Sequence, residues 1–221
     1  GTYKGMKLSE LWEKHPELFG NTGLDRFPLL IKIIDAKADL SIQVHPNDEY
    51  AMKNENGSFG KMECWYILEC DENATLVVGH NAKSKEDLES MIREGRWNEF
   101  IREIPIKKGD FIQIDPGTVH AIKGGTMILE TRQNSDITYR VYDYNRRDAE
   151  GNLRELHIED AIACTSLVPT DVNQPLCNME ENKLPFGSSR ILCACDYFGT
   201  TLEKVDGKAL RVGSPDVYRH F

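Results

Sequence analysis

"IPIKKGDFIQIDPGTVHAIKGGTMILETRQNSDITYRVYDY", residues 104 to 144, is the stretch that decides the fold. Short apolar runs are separated by KKGD, DPG and KGG. Lys, Asp, Pro and Gly in such clusters favour tight turns because glycine tolerates positive φ and proline presets its own. Short strands spaced by turn signals predict a β-sandwich or barrel.

Working outward, "LSIQVHPND" (residues 40 to 48) alternates apolar Leu40, Ile42 and Val44 with polar Ser41, Gln43 and His45 before Pro46 ends the run. Successive strand residues point to opposite sides, so Gln43 and His45 share a face about 7 Å apart. In "GKMECWY" (60 to 66) the same alternation puts Lys61, Glu63 and Trp65 on one face and Met62, Cys64 and Tyr66 on the other. His120 begins a strand just after the Pro116-Gly117 turn. If these faces meet inside one barrel, Gln43, His45, Glu63 and His120 offer an amide oxygen, two imidazoles and a carboxylate. That set suits a borderline divalent ion such as zinc and leaves room for water or substrate. Each residue also has an ordinary reading: a hydrogen-bonded histidine, a solvated strand acid, an edge amide. Glu63 weighs against the ordinary reading, since it sits in an apolar and aromatic run where an unpaired buried carboxylate costs several kcal/mol. Lys61 is its candidate partner.

Ile128, Glu130 and Arg132 share one parity in "ILETRQNSDITYRVYDY", and Thr138, Arg140 and Tyr142 share another after the N-S-D turn. Glu130 and Arg140 are therefore expected to face one cavity from paired strands. A cross-strand ion pair is the alternative, and it contributes little when exposed.

Elsewhere, "MKLSELWEKHPELFG" predicts a short amphipathic helix stopped by Gly20, and "FPLLIKIIDAKADLSIQVHP" a two-strand unit. Asn47 to Gly60 reads as a loop. "KMECWYILEC" and "NATLVVGH" are strands, and "SKEDLESMIREGRW" is a helix capped by Ser84 with Asp87 three residues on. "RELHIEDAIACTSL" reads as helical, the following segment as a linker, and "RILCACDYFGTTLEKV" as a new strand pair.

The 221 residues carry a net charge of -9, which argues against nucleic-acid binding. A few local cations still allow a small anionic substrate. No window approaches the ~18 apolar residues of a membrane span, and no leader is expected. Six cysteines without a leader predict reduced thiols in the cytoplasm, and all six are read as small apolar core groups. Asp136, His80 and His157 are read as bystanders. The opening GTYKGM suggests truncation or processing.

"LSIQVHPND", "GKMECWYI", "KKGDFIQIDPGTVHAI" and "LETRQNSDITYRVYDYNR" together resemble the type I mannose-6-phosphate isomerases, zinc-dependent cupin enzymes, in their shorter bacterial form. The likeness extends through most of the chain, from Gly5 to Leu156. It implies metal ligands at Gln43, His45, Glu63 and His120, with one zinc per chain. It also implies interconversion of mannose 6-phosphate and fructose 6-phosphate through an enediolate, with Glu130 and Arg140 in the active site. Lys61 is a further catalytic or phosphate-contacting candidate. The expected architecture is mainly β: a cupin jelly-roll barrel with a small helical elaboration at 1–165, a linker at 166–188, and the start of a second cupin-like β domain at 189–221. That second domain looks cut short, which leaves β edges open to self-association. Two rival readings are a non-catalytic sugar-phosphate-binding or regulatory cupin and an iron-dependent cupin oxygenase.

Overall fold

A computed structural model describes residues 1–168, 181–185 and 187–206. The chain divides into two compact units, Leu30–Leu176 and Gly1–Leu29 with Cys177–Phe221. In chain order the elements are α1 (Leu8–Lys14), β1 (Leu29–Ala36), β2 (Ile42–Val44), α2 (Asp48–Asn54), β3 (Glu63–Cys70), β4 (Thr75–His80), α3 (Lys85–Arg93), α4 (Trp97–Phe100), β5 (Ile101–Pro105), β6 (Phe111–Ile114), β7 (His120–Ala121), β8 (Thr126–Gln133), β9 (Tyr139–Tyr142), α5 (Ile158–Cys164), β10 (Asn182–Leu184), β11 (Gly187–Ala194) and β12 (Gly199–Val205). The protein is mainly β and antiparallel.

The larger unit is a sandwich of two sheets, ordered β1-β8-β3-β6 and β5-β4-β7-β2-β9. Ala36, Trp65, Ile67, Ile112, Ile114 and Ile128 of the first sheet pack against Leu76 and Val78 of the second to form the inter-sheet core. A second core lies on the other side of the five-stranded sheet. There Ile42, Val44, Val77, Val119, Ala121, Tyr139 and Val141 bury Leu88, Met91 and Ile92 of α3, Phe100 of α4 and Ala161 and Ile162 of α5.

Two buried faces explain the alternation in β2. Its apolar residues look outward to the helical layer, and its polar residues look into the sandwich. A strand with one face wet would show the reverse arrangement.

The turns form as their residues require. Gly109, Gly117 and Gly125 all take positive φ, at +88°, +85° and +77°. The Asp115-Pro116-Gly117 turn is closed by Thr118 N–H to Asp115 O at 3.0 Å, and Gly117 N–H reaches His45 O at 2.8 Å. The turn before His120 is thereby tied to the strand end that carries His45.

Several expectations need correction. β1 and β2 do not pair; they belong to different sheets. β8 and β9 likewise lie in different sheets, so Glu130 and Arg140 are not on paired strands. Asn47 to Gly60 is not simply a loop, because Asn47 caps α2 by accepting from Tyr50 N–H at 2.9 Å, with Asp48 and Glu49 in the first turn. Part of the expected linker forms β10, while most of it lies outside the described residues.

In the smaller unit, α1 and a 3₁₀ turn over Pro16–Phe19 end at Gly20, which is left-handed at φ +75°. Trp12, Phe19 and Phe27 meet edge to face there. The same unit holds the antiparallel sheet β10-β11-β12. No helix among the described residues is long and apolar enough to cross a membrane.

Candidate metal centre and active site

Strand register builds the site. In the five-stranded sheet Val78 pairs with His120, His120 with Gln43, and Gln43 with Arg140, a row running across β4, β7, β2 and β9. Directly paired residues share a face. In the facing sheet Glu63 pairs with Arg132 and Ile114, and Trp65 with Glu130 and Ile112. The two rows meet between the sheets, where the Trp65 ring packs on His120 with centroids 5.5 Å apart.

His45, Glu63 and His120 come together there. Each is 1% exposed, and one ligand atom from each lies within 4.8 Å of the others, so the cluster could hold a metal ion. His45 Nε2 is 3.3 Å from Glu63 Oε1, and His120 Nε2 is 3.8 Å from Glu63 Oε2. Ligands bonded to zinc at about 2.0–2.2 Å in a tetrahedron stand about 3.3–3.6 Å apart, close to these separations. The Gln43 amide nitrogen lies 3.4 Å from His45 Nε2 and 3.3 Å from His120 Nε2. Turning that amide by half a rotation puts its oxygen at the same place, since the two ends have the same shape.

The unmet hydrogen bonds fit a metal. Both Glu63 oxygens are buried without a hydrogen-bond partner, although Lys61 Nζ stands 3.2 Å from Oε1. Orphaned buried carboxylate oxygens are costly, and a cation between the sheets would satisfy them. His120 Nδ1–H donates to Thr118 O at 2.8 Å, which turns its Nε2 lone pair toward the cluster.

Protonation states agree. Burial lowers His45 to about 3 and also lowers His120, so both imidazoles are neutral. Burial pushes Glu63 upward, but His45, Lys61 and His120 together hold it well below the usual carboxylate range. Neutral histidine and ionised carboxylate are the forms that bind metal.

Around this core sit the other candidates. Lys61, 6% exposed, also contacts Thr138 Oγ1 at 3.3 Å, and burial lowers its pKa against the pull of Glu63. Glu130 is 6% exposed, and its pKa is raised by burial and then by the charge of Glu63. Its Oε2 lies 3.6 Å from Lys32 and 3.4 Å from Arg132 Nε. Arg140 stands next to Gln43 in register and donates from Nη1 to Glu155 O at 2.8 Å. Arg132 and Lys32 were missed as site candidates. Parity put Arg132 beside Glu130, and only the register with Glu63 shows that it is interior. Nothing local marks Lys32.

A family model described as phosphomannose isomerase type I, catalytic domain, matches residues 1–72. A mannose-6-phosphate isomerase of Bacillus subtilis is 51% identical over 209 residues, covering 95% of this chain and 65% of that protein. The chain belongs to the type I phosphomannose isomerase family. A mannose-6-phosphate isomerase of Streptococcus mutans is 54% identical over 162 residues, covering 73% of this chain and 51% of the relative. The crystal structure of the mannose 6-phosphate isomerase from Bacillus subtilis superposes with a TM-score of 0.89 at 45% identity, covering 95% of this chain and 66% of that one. Phosphomannose isomerase from Salmonella typhimurium shares the fold, with a TM-score of 0.66 at 16% identity. The larger unit therefore has the cupin fold of these neighbours. The chain spans between half and two thirds of the length of the curated relatives it matches.

Proposed function

We infer that this chain carries the catalytic site of a metal-dependent aldose-ketose isomerase that interconverts mannose 6-phosphate and fructose 6-phosphate, with zinc at Gln43, His45, Glu63 and His120. The observation that carries the reading is a charged, buried constellation inside a β-sandwich: a neutral two-histidine, one-carboxylate cluster with Lys61 and Glu130 beside it. A divalent ion held there supplies fixed positive charge for the oxygens of the enediolate.

The chain's own residues supply the rest. Glu130 takes the proton from C2 of the aldose and returns it to C1. Its raised pKa brings a carboxylate closer to the operating pH, where a base works best. Lys61 holds Glu63 ionised and presents an N–H toward the reacting oxygens. Arg140, at the end of the row that holds Gln43, engages the substrate phosphate or the enediolate oxygens, as a planar bidentate donor can. Two apolar cores around a narrow polar interior limit the water that competes for the proton. The chemistry fits a cytoplasmic sugar phosphate and reduced thiols. A non-catalytic binder would have no use for a buried base such as Glu130.

The test is exchange of the C2 hydrogen with solvent. Glu130→Gln keeps the shape and loses the basic oxygen. Metal content and substrate binding should persist while exchange and kcat fall about a hundred- to ten-thousand-fold. Unaltered exchange would remove Glu130 from the base role, and loss of metal together with exchange would make it structural.

A further inference from the structure

His80, a bystander on the sequence pattern, lies outside the cluster and has no part in the isomerisation described above. It ends β4, and there the strand slips. Val77 pairs with Glu103 and His80 with Ile101, so three steps along β4 match two along β5. One extra residue in an antiparallel pair re-aims the side chain that follows it. Gly79, at φ +88°, takes the backbone conformation at the slip. Val78 faces the inter-sheet core, and strict alternation would send His80 the same way. The bulge instead turns the ring to the helical layer, where it stacks on Phe100 with centroids 5.6 Å and planes 11° apart.

In that layer His80 meets the chain leaving α5. Its Nε2 lies 2.9 Å from Ser166 O, and a carbonyl only accepts, so Nε2 carries the proton. Nδ1 is buried without a hydrogen-bond partner among the described residues, and burial lowers the pKa, so the ring is neutral. Ser166 in turn donates its N–H to Gly117 O at 2.9 Å. Thr118 O accepts from His120 Nδ1–H at 2.8 Å, and Val119 O from Gly79 N–H at 2.7 Å. Three consecutive carbonyls before His120 are thus held: one by His120 itself, one by Gly79, and one by Ser166, which His80 holds. Gly117 N–H completes the set on His45 O at 2.8 Å. The packing has no slack, since a Cβ at Gly117 would stand 3.0 Å from Cys164 O and 3.1 Å from Ser166 Cβ.

We propose that His80 is a positioning residue for the metal centre: through Ser166 it fixes the Gly117–Val119 segment that sets His45 and His120. The role rests on the metal reading of the cluster. Without the Nε2–H donor, Ser166 O loses its partner, the chain leaving α5 is released from β4, and the turn that spaces the two imidazoles loses a support. Groups that orient metal ligands in this way act on affinity and coordination, not only on stability.

The experiment measures the zinc dissociation constant of the 221-residue chain by competition with a chelator of known affinity, together with the visible absorption of its cobalt(II) form. Both are read at a temperature where circular dichroism shows each protein folded, so a loss of stability alone leaves them unmoved. His80→Leu fills the space without a donor. His80→Gln carries an amide N–H to about the place of Nε2, and His80→Asn is one methylene too short to do so. His80→Leu and His80→Asn should bind zinc about tenfold more weakly, the lower end of the cost of losing a group that orients a ligand, and should shift the cobalt band. His80→Gln should restore both. If His80→Leu does not fold, the contrast between the two amides decides. Wild-type affinity and an unshifted cobalt band in His80→Asn would overturn this role alone. A wild type that binds no zinc, or whose affinity survives His120→Ala, would overturn the metal reading and this role with it.

Discussion

Lys61→Met should reveal the metal through stability before any substrate is added. The Lys61 ammonium lies 3.2 Å from Glu63 Oε1, with side-chain exposures of 7% and 1%. The neighbouring imidazoles are neutral, since burial lowers both. Methionine keeps most of the volume and removes the charge. It leaves a buried carboxylate with two orphaned oxygens, and breaking such a pair costs about 3–5 kcal/mol. For a chain of this size that is a fall of about 6–20 °C in Tm. With a divalent ion bound, Glu63 is compensated by the metal, and loss of Lys61 removes a repulsion between like charges. The cost then falls to about 1 kcal/mol or less.

Linkage turns the difference of about 2–4 kcal/mol into affinity: Lys61→Met should bind the metal roughly 30- to 1000-fold more tightly than the wild type. The assay is thermal unfolding of both proteins with chelator and with excess zinc, alongside competition against a chelator of known affinity. An equal loss of Tm in the two conditions, or weaker metal binding by the variant, would refute the charge argument. Turnover should fall in either case, so activity cannot substitute for these readouts.

Gly60→Ala should disturb the same site by sterics. A Cβ at Gly60 would stand 2.4 Å from Asn47 C and 2.5 Å from Asp48 N, backbone atoms that cannot rotate away, just where Lys61 N–H bonds Pro46 O at 3.0 Å. We expect a loss of about 1–3 kcal/mol and metal binding weakened about 10–100-fold as the His45 and Glu63 segments separate; unchanged metal affinity would contradict this. Asp143→Asn should weaken the fold without touching the metal. Arg154 donates to that carboxylate at 2.6 and 2.5 Å, and Arg146 adds a second ion pair, which together hold Asp143 below the usual aspartate range. A depressed folded pKa stabilises above the unfolded value of about 4 and is lost as pH falls through the folded one. The variant should therefore be less stable by about 1–2 kcal/mol near neutrality, the gap closing below pH 4 in denaturant titrations. A gap that widens in acid would reverse the sign of the argument.

What the sequence made legible was local. The alternation of Gln43 and His45, the parity of Lys61, Glu63 and Trp65, and the turn before His120 all depend on neighbouring residues, so the candidate ligands could be written down from them. Sheet membership is different. Whether β1 pairs with β2, or β8 with β9, depends on partners far along the chain, and local patterning is silent on it. Helix α2 was hidden because Asn47 and Asp48 serve equally well as turn residues and as a helix cap and first turn. Arg132 became a site neighbour only through its register with Glu63. The cysteines were expected to be uniformly buried, yet Cys70, Cys164 and Cys195 are partly exposed, while Cys177 lies outside the described residues.

The electrostatic balance of the interior links these parts. Glu63 and Glu130 face the sandwich interior with Lys61 and Arg132, all at most 6% exposed. Two carboxylates and two cations balance in formal charge there. A divalent ion added to a balanced interior leaves an excess of two positive charges, in a chain whose overall charge is -9. Lys32, with a side chain 43% exposed, and Arg140 in the Gln43 row extend that positive field. Low-dielectric walls concentrate such a field, so an acidic protein can draw in a small anion. In the proposed isomerisation the same excess would stabilise negative charge that develops on the sugar oxygens only as the proton leaves C2. Binding and rate therefore draw on one source. On the proposed reading, removing the metal should weaken substrate binding by less than it lowers kcat, because the field of Lys32 and Arg140 still attracts an anionic substrate whereas the developing enediolate loses its principal counter-charge.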